Sequence, residues 1–146
     1  MIEVDKILEQ AGYFETRKES VEEILKMYMA NGYDSNSKQI TFLEKYAFLE
    51  LRYTHPIWKQ EMCLRMNPIE AQKIITMDVV EEYNEFLQDK LLIIGDIEKE
   101  NMTIFLSEKG TIYSGYDDCI IDWGTDFKTF LKHLINGEKG KLIIID

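Results

Sequence analysis

Basic residues are scarce in this chain: 17 Lys and Arg stand against 27 Asp and Glu, for a formal net charge of −10. Phosphate backbones are held by Lys and Arg, so the balance argues against direct nucleic-acid binding. No apolar run approaches the eighteen or so residues that span a bilayer, which argues against membrane insertion. The opening "MIEVDKILEQ" has neither a basic start nor an apolar stretch after it, so no signal peptide is expected and the expected location is the cytoplasm. With only two cysteines, Cys63 and Cys119, a disulfide scaffold is excluded. Each lies in an apolar run, and the pair is expected to be buried and reduced. The eight glycines are scattered singly and form no phosphate-cradling loop. The two histidines, His55 and His133, have no Cys or His at ligand spacing, which disfavours zinc.

What is present is a chain of 146 residues, 45% hydrophobic, without repeats, low-complexity tracts or linkers. That suits one domain over residues 1–146 with one core. A helix is expected over Val4 to Gln10, ending at Gly12. Ser20 with Glu23 reads as a capping box before Val21, Ile24, Leu25 and Tyr28 at helical spacing, with Gly32 as the stop. A third helix near 38–46 turns Phe42, Leu43 and Tyr46 inward. Alternation then predicts strands over 48–54 and 58–66, joined at His55-Pro56. Asn67-Pro68 looks like a helix cap with proline at the first position, followed by an amphipathic stripe from Ala71 through Ile74, Ile75, Val79, Tyr83 and Phe86 to Leu87. The spacing predicts one long helix over about 69–88. "KLLIIGDI" reads as a central strand, "MTIFLSEKGTIYSGY" as a hairpin turning at Gly110, and "CIIDW" as a further strand. "TDFKTFLKHLI" reads as a closing helix capped by Thr125 or Asp126, and the tail "GKLIIID" either adds a strand or stays loose. The fold class expected is α+β: a mixed or antiparallel sheet of five to six strands, flanked by helices, with the helices weighted to the N-terminal part.

The acidity is regional. Residues 81–126 hold twelve acids against three bases (Lys90, Lys99, Lys109), whereas residues 1–80 hold thirteen against ten. The densest part, "YSGYDDCIIDWGTDF", poses the question of a metal or acid–base site. In calcium-loop register from Asp117, positions three and five fall on Cys119 and Ile121, so that pattern fails. No G-x-S-x-G elbow is present, and neither cysteine sits among cations or at a helix start where its thiolate would be stabilised. No catalytic residues, metal ligands or cofactors are assigned. The acidic turn fits an electrostatic contact surface for a basic protein partner. Glu98, Glu100, Tyr116, Asp117, Asp118 and Asp122 are the candidate contact residues. Trp123 fits the core better, while Tyr116 stays open between core and interface anchor.

The order of short motifs resembles the SUKH superfamily of immunity proteins, and its third subgroup in particular. Ala11-Gly12-Tyr13 with Arg17 resembles the opening "A-G-W, then Arg" segment, and Gly32-Tyr33 the "aGy" helix stop. Phe42-Leu43 with Phe48-Leu49-Glu50-Leu51 resembles "fL…fggL", and Asn67-Pro68 stands where the family has Asp-Pro. Leu92-Ile93-Ile94-Gly95 resembles "l-P-I-G", Leu106 with Gly110-Thr111-Ile112-Tyr113 the "l…d..G.vy" hairpin, and Gly124, Leu131, Leu134 and Gly137 the closing helix. Three positions depart: Ala47-Phe48 replaces the glycine pair, Tyr13 the Trp, and Ile93 the proline. The resemblance implies a non-catalytic, cytoplasmic antitoxin of a bacterial cell that binds a cognate secreted toxin domain, often a nuclease. It implies no shared catalytic residues and does not locate the binding face. A regulatory or scaffold protein of the same superfamily is the alternative reading, and a small metal-dependent hydrolase a third.

Overall fold

A computed structural model describes residues 4–116, 118–138 and 140–144, with the side chain of Glu98 left undescribed. Three helices come first: α1 (Val4–Gln10), α2 (Glu22–Ala30) and α3 (Ser37–Tyr46). Strands β1 (Glu50–Thr54) and β2 (Glu61–Arg65) follow, then α4 (Pro68–Ala71) and α5 (Met77–Leu87). Next come β3 (Leu91–Ile97), a 3₁₀ turn (Glu98–Glu100), β4 (Met102–Ser107), β5 (Ile112–Tyr116), β6 (Cys119–Asp122), α6 (Phe127–Asn136) and β7 (Lys141–Ile144). The strands form one seven-stranded sheet in sequence order, and every described pairing is antiparallel. The fold is thus α+β, and the tail supplies the seventh strand by pairing with β6 of its own chain.

The centre of the sheet is covered on both faces, while β1 alternates exposed and buried residues. Phe105 and Ile104 alternate across β4. Tyr83 of α5 packs edge-on to Phe105, with ring centroids 5.8 Å apart. On the opposite face, Trp123 meets Phe130 of α6 at 5.1 Å, and its indole N–H donates to Ser114, which pairs with Ile104. All seven residues of β3 are buried, as a doubly covered strand requires. A bulge between Ile93 and Gly95 interrupts the ladder, and the Tyr28 hydroxyl donates to the Ile93 carbonyl at 2.6 Å. Burial pushes the Tyr28 phenol far above its ordinary range, which keeps it a donor. At Gly95 itself a Cβ would run into the Arg65 carbonyl, so the strands approach closely there.

The family-like motifs prove architectural. Arg17 donates to the carbonyls of Lys45 (2.6 Å) and Ala47 (2.8 Å), satisfying the C-terminus of α3. Tyr13 stacks on Tyr46 of the same helix, with centroids 5.3 Å apart. Phe48 stands at a position resembling a family glycine and takes φ +69°, the left-handed region that glycine tolerates best.

Four expectations are corrected. Ser20 and Glu23 form no capping box: α2 starts at Glu22 behind Val21, without a side-chain cap. The reciprocal box belongs to α3, between Asn36 and Gln39. The long helix over 69–88 is two helices, because Thr76 is extended (φ −87°, ψ 156°) after the β-branched pair Ile74-Ile75, and Ile74 is exposed rather than in a stripe. The second strand begins at Glu61 rather than residue 58, since His55–Gln60 form a tight loop. Cys63 and Cys119 are half-buried, not buried, as each stands beside exposed partners across the sheet, Cys63 opposite Arg52 and Cys119 between Tyr116 and Ile144.

Candidate functional site: an acidic end of the sheet

In an antiparallel meander the connections alternate between the two ends of the sheet. Here 55–60, 98–101 and 117–118 share one end, while 66–90, 108–111 and 123–140 share the other. The first set consists of short turns. The second contains α4, α5 and α6, which fold back over the sheet. Counting Glu61 at the head of β2, the described part of the short-turn end carries Glu61, Glu98, Glu100 and Asp118 against Lys59 and Lys99, and Arg52 pairs with Glu61 at 3.2 Å.

The candidate residues fall unevenly on this plan. Tyr116, the last residue of β5, is 45% exposed, and Asp118 is exposed in the turn that follows. The Asp118 carboxylate accepts from the Cys119 thiol at 3.6 Å. Cys119 pairs with both Tyr116 and Ile144, so these three line up across β5, β6 and β7. Asp117 and the Glu98 side chain lie outside the described residues, although the backbone of Glu98 opens the 3₁₀ turn at the same end. Glu100 is half-buried instead of presented to solvent. Burial raises its carboxyl above the ordinary glutamate range, while the nearby His55 ring draws it part of the way back. The separation from His55 Nε2 to the Glu100 carboxylate is 3.7 Å. Asp122 is not brought to this end. It sits at the far end of β6 opposite Tyr113 and Lys141, half-buried, accepting from the Gly124 N–H at 2.9 Å. Burial, and then the charges of Asp122 and Asp89, raise the Tyr113 phenol. Trp123 is buried, as its assignment to the core requires.

The sequence reading passed over the loop at 55–60 because period-two alternation absorbed Trp58 into a strand. His55 organises this loop. Its Nδ1 accepts the backbone N–H groups of Ile57 (3.2 Å) and Trp58 (3.1 Å), and its ring lies parallel to the Trp58 indole at 4.1 Å. Lys99 spans to the next turn, donating to the Glu61 carbonyl at 2.8 Å.

A second acidic group lies at the opposite end, where Glu81, Glu85, Asp89 and Glu108 line a hollow beside the end of α5. The described acids of residues 81–126 therefore fall at both ends, with Asp96 buried inside β3, and do not form one patch. Among the described residues no group of three or more His, Cys, Asp or Glu side chains is placed to hold a metal ion. No described helix is long and apolar enough to cross a membrane.

With this geometry in hand, the chain was compared with known proteins. A family model described as SUKH-3 immunity protein matches residues 2–137. The chain belongs to the SUKH-3 immunity protein family. Neither a curated protein nor a solved structure gave a match. Membership of SUKH-3 supports an immunity role, a cognate toxin as partner, and a non-enzymatic mode of action.

Proposed function

We propose that this protein is an antitoxin that neutralises a secreted toxin domain, of the basic, nucleic-acid-cleaving kind, by direct contact in the cytoplasm of a bacterial cell. Residues 1–146 act as one SUKH-like domain in this reading. The match to the SUKH-3 family over residues 2–137 carries it. The charge of the chain supports the choice of a basic partner: a nuclease presents a cationic groove to phosphate, and a surface with a net charge of −10 is drawn to it. Tyr116, Asp117, Asp118, Glu98 and Glu100 are proposed to face the toxin, which is supported by the 98–101 turn and the turn after Tyr116 lying at the same end of the sheet. Asp122 contributes at most through the rim of β6.

Co-expression with the toxin domain encoded beside its gene tests the reading. Cells carrying both are expected to survive, cells carrying the toxin alone to die, and the two proteins to co-purify. Survival without this chain, or no complex on co-purification, would sink it.

A further inference from the structure

Acidic turns steer a basic partner in but supply little of the lasting affinity, which usually comes from a few desolvated aromatic or arginine anchors. We infer that the His55–Gln60 loop is such an anchor: Trp58, with Ile57 beside it, docks against a basic protein surface at the short-turn end of the sheet. The inference rests on the antitoxin reading above and names the contact that would hold the complex together.

Three independent observations carry it. Trp58 is 53% exposed and Ile57 76% exposed, so two large apolar side chains project side by side from one turn. Trp is the side chain most enriched among interface hot spots.

The loop is also rigid. His55 Nδ1 holds two backbone N–H groups, the His55 N–H donates to Gln60 at 2.8 Å, and Lys59 N–H donates to the His55 carbonyl at 2.9 Å. The imidazole stacks on one face of the indole with only 9° between the planes. From behind, Pro56 abuts Gly137 at the end of α6, where a Cβ would meet the proline ring at 2.7 Å. Because Nδ1 accepts, the neutral ring carries its proton on Nε2, the side turned to Glu100. An exposed Trp held in one orientation has already lost the freedom that binding would otherwise cost it.

Charge complementarity names the occupant. The loop stands at the end of the sheet that carries Glu61, Glu98, Glu100 and Asp118 against Lys59, Lys99 and the Arg52 that pairs with Glu61, on a chain of net charge −10. A second copy of this acidic chain would be repelled there, whereas a cationic protein face is attracted. An arginine of that face can also lie against the indole, a contact that gains strength once water is excluded.

The test uses the whole chain and the toxin domain encoded beside its gene, titrated by calorimetry. No complex with the unaltered chain would remove the antitoxin reading itself. Given a complex, Trp58→Ala is expected to weaken it by about 30-fold or more, and Ile57→Ala by a smaller factor, as for hot-spot truncation. Both variants should keep the far-ultraviolet circular dichroism of the parent. Tryptophan emission should shift to the blue on binding, and Trp58→Phe should abolish that shift, since the other tryptophan, Trp123, is already buried. A complex formed by Trp58→Ala within twofold of the parent, or an emission shift that survives Trp58→Phe, would overturn the anchor while leaving the immunity role standing.

Discussion

The two ends of the sheet are built from the same seven strands yet differ in almost every physical respect. At one end, turns of six, four and two residues leave Trp58, Tyr116 and Asp118 open to water. At the other, the connections contain helices and are tied down. Asn36 donates to the Glu108 carbonyl, Gln39 to the Leu106 carbonyl, and Asn84 accepts the Leu91 N–H. The meander is responsible: it sends alternate connections to opposite ends, and the chain placed its helical insertions on one side only. Stability is invested where helices cap the sheet, and the short-turn end keeps more side chains exposed.

Substitutions inside the sheet and at its short-turn end should differ in cost accordingly. The largest effect is expected inside the sheet, at Gly95. Valine there must displace the Arg65 carbonyl, so Gly95→Val should cost about 4 kcal/mol or prevent folding, read by urea denaturation. Next comes Arg17→Ala, which leaves two C-terminal carbonyls of α3 without their charged donor. A loss of about 2 kcal/mol is expected in the same assay. Substitutions at the short-turn end should be nearly silent by comparison, or even favourable. Lys59 takes φ +57° in its turn, and Lys59→Gly should raise stability by about 0.5–1 kcal/mol.

The smallest effect is a pH dependence at Glu100. Burial raises its folded pKa above the unfolded value, so its charged form is penalised in the native state. That penalty is fully present at neutral pH and disappears as pH falls through the folded pKa to below the ordinary value of 4.5. Glu100→Gln should therefore melt slightly above the parent at pH 7, with the gap closing on acidification. Melting of Glu100→Gln below the parent at pH 7, with the deficit closing in acid, would show that His55 stabilises the Glu100 carboxylate more than burial penalises it.

Much of this architecture was legible in the residues, and the failures have identifiable causes. Alternation located β1, β2 and the β4–β5 hairpin, Asn67-Pro68 marked α4, and Asp126 capped α6 as expected. Period-3.6 spacing could not reveal the break at Thr76, because Ile74 and Ile75 fit the stripe yet the backbone turns extended there. Regional acidity was plain from counting, but its division between two ends was not. That depends on whether β2 pairs with β3 across the long connection 66–90, a tertiary choice no local pattern encodes. Trp58 was overlooked for a related reason. An aromatic next to an alternating run resembles the start of a strand, and only the backbone bonds of His55 show that it is a loop.

In the proposed complex the toxin meets the short-turn end. Amide hydrogen exchange on the complex with the toxin domain encoded beside the gene addresses it most directly. Slowed exchange is predicted over 55–60, 98–101 and 116–118, with 108–111 and 123–126 unchanged from the uncomplexed chain. Protection confined to 108–111 and 123–126, with the short turns unaffected, would contradict it.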